Sequence, residues 1–123
     1  MKDAMDDNYF SLVKELLSGP KAEALEWLRS GSKASRRSLG EKQKTEDSIA
    51  FVQQLYDLGA EQVLAVGINE YHQGQNTSQL LVQLPDDDHA RARLFAFERD
   101  LVEPRGFDGT ADEGQEYLYL ELD

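Results

Sequence analysis

Cysteine is absent from the chain, which removes disulfides, thiolate metal sites and cysteine nucleophiles together. Histidine is scarce: His72 and His89 are the only two, so the commonest general base and metal ligand is nearly missing. No apolar run approaches the ~20 residues needed to cross a bilayer. Residues 1–8 are acidic and lack the apolar centre of a signal peptide. These absences lead us to expect a cytoplasmic protein without membrane contact. Positive charge is short as well. Lys and Arg number 13 against 24 Asp and Glu, a net charge of −11, which argues against nucleic acid as the main partner.

What positive charge exists is gathered in one place. Arg29, Lys33, Arg36, Arg37, Lys42 and Lys44 are opposed only by Glu41, so residues 29–44 carry +5 and the rest of the chain −16. The stretch 30–44 is rich in Ser and Gly, with Leu39 as its one large apolar residue, and reads as a loop. Arg36-Arg37 within it is a candidate contact for an acidic partner.

At 123 residues the chain is long enough for one domain with a real core. Its best-formed part is 45–84. Thr45 reads as a helix N-cap, with Glu46 and Asp47 suited to the positive end of the dipole. Ile49, Phe51, Val52, Leu55, Tyr56 and Leu58 share one side of the helix. A strand is expected over 62–70, apolar on both faces and therefore central. A turn at 71–77 and a second strand over 78–84 follow, with Gln79 and Gln83 suggesting an edge. Another helix starts near Asp86-Asp87 with Ala90, Leu94, Phe97 and Leu101 as its stripe, and a last strand spans 115–123. Ahead of these, 1–29 reads as a pair of short helices, Asn8 to Ser18 and Pro20 to Arg29.

Assembled, these elements predict an α+β fold with a small three-stranded, mainly antiparallel sheet and two long helices, preceded by the two short ones. A right-handed crossover would place the last strand parallel to the second. That order resembles a split β-α-β, or half of a ferredoxin-like domain, an analogy of topology that implies no function. One sheet face is expected to be leucine-rich and covered by the long helices. The other combines Val63, Ala65 and Gly67 with Tyr117, Tyr119 and Leu81. The Phe10 and Trp27 helices are the simplest cover for it; a dimer interface or a ligand groove rimmed by Asn69 and His72 are the functional alternatives.

Chemical motifs are thin. No serine lies in a nucleophile elbow, and no glycine loop has nucleotide-binding spacing. Asp86-Asp87-Asp88-His89 and the 106–114 loop offer carboxylates, but helix capping explains the first and neither has calcium-loop spacing. No metal, cofactor or catalytic residue is therefore assigned. The expectation is an acidic interaction or regulatory module without catalysis, binding another protein or a second copy of itself. The alternative is a small-molecule sensor or small enzyme using the tyrosine-bearing face.

Overall fold

The structure is a computed structural model and describes residues 4–32, 35–42, 44–71 and 74–122. In chain order the elements are α1 (Ala4–Ser18), β1 (Lys21–Glu23), α2 (Ala24–Arg29), β2 (Arg36–Leu39), α3 (Thr45–Asp57) and β3 (Gln62–Val66). They continue with β4 (Asn69–Tyr71), β5 (Gly74–Thr77), β6 (Gln79–Gln83), α4 (Asp88–Val102), a 3-10 turn (Glu103–Arg105) and β7 (Tyr117–Glu121).

The fold is α+β, but its architecture overturns the expected single three-stranded sheet with two long helices. There are two sheets among the described residues: four antiparallel strands in the order β1-β3-β6-β7, and three mixed strands in the order β2-β5-β4. Four helices accompany them, and α1 is as long as α4. The ferredoxin-like analogy falls with this topology.

Each departure has a local cause. β3 does need a neighbour on both sides, as its apolar character demanded, and the second neighbour is β1, read from the sequence as helix. The Glu23 carboxylate accepts the Leu25 and Glu26 amides, so the helix starts after it and Lys21–Glu23 is left extended. The expected turn at 71–77 is largely strand. β4 and β5 continue the β3–β6 hairpin in the same register, beyond a bend at Gly67 and Ile68. Gly67 takes φ +59 there, and a Cβ would stand 2.1 Å from the Gln79 side-chain oxygen.

β7 runs antiparallel to β6, not parallel to it. A 15-residue helix carries the chain about 22 Å, and the loop of residues 106–116 is long enough to bring it back. The Leu84 amide accordingly donates to the Glu116 carbonyl, at the end where the chain left the sheet. β6 is thus interior rather than an edge. Its glutamines are accommodated by β7 and its approach: Gln79 donates to the Tyr119 hydroxyl and Gln83 to the Glu116 carboxylate.

This register also exchanges the faces of β3. Val63 and Ala65 lie level with Val82 and Leu80 of β6 and with Leu118 and Leu120 of β7. That face forms the main core with Trp27 and Leu28 of α2, Phe51, Val52 and Leu55 of α3, and Leu94 and Phe95 of α4. Leu64 and Val66, in place of Val63 and Ala65, share the other face with Leu81, Tyr117 and Tyr119.

Among the described residues no helix is long and apolar enough to cross a membrane.

Candidate functional site

Within the basic stretch, Arg36–Leu39 is a strand rather than part of a loop. β2 pairs parallel to β5, with Leu39 fully buried. Its outward backbone groups are taken by α3: Thr45 donates its hydroxyl to the Arg37 carbonyl at 2.7 Å, and the Leu39 amide donates to the Ser48 hydroxyl at 3.0 Å. Thr45 is therefore not the helix cap. Lys44 holds that position and contributes no side-chain cap bond. Asn76 of β5 completes the attachment by donating to the Ser38 hydroxyl and the Gly40 carbonyl. Close approach depends on Gly74, where a Cβ would stand 2.0 Å from the Arg36 carbonyl oxygen.

Strand alternation gives the two adjacent arginines different surroundings. Arg37 is half-buried, and its guanidinium donates to the Trp27 carbonyl at 3.1 Å. Arg36 is exposed and lines an open groove with Leu28, Arg29, Gly31, Ser32, Thr45, Glu46 and Ile49. Half-buried Ile49 supplies what apolar surface there is, Leu28 being only 1 % exposed; Arg29 and Arg36 supply positive charge, and Glu46 in the first turn of α3 sets one negative charge against them. Lys42 is used elsewhere, its ammonium lying 4.9 Å from the Phe51 ring centre. Lys33 lies outside the described residues.

The other candidate residues divide. Leu81, Tyr117 and Tyr119 do come together, but under α1, which lays Tyr9, Val13, Leu16 and Leu17 on them. Among the described residues the cover is α1, and it does not use the two aromatics expected for it. Trp27 belongs to the opposite core, donating its indole N–H to Gln75, and Phe10 is 59 % exposed. Tyr119 is held within the face by Gln79 and by the Glu121 carboxylate, which accepts its O–H. Burial raises the pKa of both Tyr117 and Tyr119. Asn69 is on β4, in the other sheet, and exposed. His72 lies outside the described residues.

Two of the carboxylates weighed for metal binding, Asp87 and Asp112, have structural partners. Asp87 caps α4 by accepting the Ala90 amide at 2.8 Å. Asp112 takes a forked pair of bonds from Arg91 at 2.8 and 3.1 Å, which holds its pKa below the usual carboxylate value. Arg91 also donates to the Pro85 and Gln115 carbonyls, and Glu98 accepts from the Thr110 amide and hydroxyl. The loop after α4 is fastened by these bonds. No group of three His, Asp or Glu among the described residues is placed to hold a metal ion.

Arg29, counted in the basic strip, is a groove residue that sequence reasoning did not single out as a contact. Its signal was modest: a basic residue ending a helix two positions before Gly31. Comparison with known proteins assigns nothing further, since no family model, no curated protein and no solved structure matches the chain.

Proposed function

We propose that this chain is a small protein-interaction domain that acts without catalysis, docking an acidic protein surface into the groove between α2, β2 and the start of α3. One observation carries the reading. Arg36 is mounted on a paired strand, and with Arg29 from the end of α2 it lines one groove beside the half-buried Ile49. An exposed ion pair contributes about 0–1 kcal/mol, so charge alone would bind weakly. The groove's apolar surface adds burial to attraction, and the −16 of the remaining chain repels an extended polyanion. The tyrosine-bearing face adds no support for binding, because α1 packs on it.

The test uses charge reversal at the groove. Arg37 is left alone, since it supports the Trp27 carbonyl. Wild type and the Arg29→Glu/Arg36→Glu double variant are immobilised and exposed to cell extract, and retained proteins are identified by mass spectrometry. The expectation is a set of acidic proteins held by wild type, released as NaCl is raised and absent from the double variant. Identical sets on both, with Trp27 emission showing both folded, would refute the proposal.

A further inference from the structure

Building on that reading of the groove, we infer that one occupant is the Phe107-Asp108 tip of a second copy of this chain. The tip has what the groove asks for. Phe107 is 63 % exposed, an unusual position for so large an apolar side chain, and exposed Asp108 follows it directly. An aromatic ring suits the half-buried Ile49 side chain, and a carboxylate beside it suits Arg29 and Arg36.

The tip is also held in place before binding. The Phe107 amide donates to the Val102 carbonyl, and the Gly106 amide to Glu103. Arg105, just ahead, donates to the Leu101 and Glu121 carbonyls. A projecting side chain on a fastened turn loses little freedom on docking, which favours affinity. Phe10, the other large apolar residue exposed among the described residues, is flanked in sequence by Tyr9 and Ser11 rather than by an acid.

A two-fold pair makes the contact twice; a one-way contact makes chains of copies. The net charge of −11 on each copy opposes association, so the affinity is weak, with Kd about millimolar for a single contact.

The experiment is sedimentation equilibrium at physiological salt up to millimolar protein. Wild type should rise above the 13.9 kDa of one chain as concentration increases. Phe107→Ser and Arg29→Glu/Arg36→Glu should each stay at one-chain mass, with association weakened by about tenfold or more. An equimolar mixture of the two should regain association, because one supplies a working groove and the other a working tip. Wild type that stays monomeric throughout, or a Phe107→Ser variant that associates like wild type, overturns the inference. If the double variant also loses its acidic partners while wild type is monomeric, the groove reading stands and only the second copy is rejected.

Discussion

Tyr56 joins three elements through one hydroxyl. It donates to the Glu23 carboxylate at 2.6 Å and accepts from the Val63 amide at 3.0 Å, while Glu23 caps α2. Burial, then the bond to Glu23, pushes the Tyr56 phenol up to about 12 from its ordinary 10.0. Burial also raises Tyr9 to about 12, against a lowering effect from the Tyr119 amide. Burial raises Glu23 too, but the bonds from Tyr56 and the Glu26 and Leu25 amides outweigh it and leave the carboxyl below its usual value. For the two phenols the folded value exceeds the unfolded one, so their contribution is whole below pH 10 and lost as pH rises towards 12. For Glu23 the sign is opposite: its contribution is present above the unfolded pKa and lost as pH falls through the lowered one. Titrated by tyrosinate absorbance, two of the five tyrosines should ionise near pH 12, in the step that abolishes far-UV circular dichroism. Tyr56→Phe should remove one of them. All five ionising near pH 10 in a folded chain would contradict this assignment. Such pairings were not legible in the sequence, because Glu23 and Tyr56 are 33 residues apart. It could not separate Arg36 from Arg37 either: a stretch read as a loop has no alternation to assign sides.

α1 covers more than an apolar face. β7 is the edge of the four-stranded sheet, and unpaired edge groups invite other strands. The Tyr9 hydroxyl donates to the Tyr117 carbonyl and accepts from the Tyr119 amide, and Arg105 covers the Glu121 carbonyl further along. Tyr9→Phe keeps the ring and removes that cover. It should cost about 1 kcal/mol in urea unfolding and accelerate hydrogen exchange at the Tyr119 amide, with Leu118 unaffected. Unchanged exchange at Tyr119 would show that the helix does not guard the edge. Elements with a strong period were legible: α3, α4, β6 and the C-terminal strand lie close to where their periods put them, while the strand expected over 62–70 is divided between β3 and β4 of different sheets. β1 and β2 were not, being three and four residues long. Too short for a period, they are defined by partners distant in sequence, β1 by β3 and β2 by β5. Missing β1 and β2 also meant missing the second sheet and the groove beside it.

Across the whole molecule, charge acts on the fold and on docking with opposite signs. Two unit charges 10 Å apart in water interact by about 0.4 kcal/mol, so a net −11 on 123 residues sums to several kcal/mol of self-repulsion. The basic strip offsets part of it by lying against an acidic body, but the imbalance remains. At 0.01 M salt the screening length is about 30 Å, comparable to the diameter of a domain this size, and all charges feel one another. At 0.1 M it falls to about 10 Å and only near neighbours interact. Repulsion among the surplus acids is then relieved more than the strip's attraction is lost, because surplus repulsion is spread over longer distances. The thermal midpoint should therefore rise by about 5 °C between these salt levels in NaCl, a salt chosen because sulfate also stabilises by exclusion. Docking at Arg29 and Arg36 should weaken over the same range, since it depends on attraction between unlike charges. Melting and capture measured in the same NaCl series separate the two effects. A midpoint that is flat or falls with salt would mean that the strip, small as it is, already balances the acids around it.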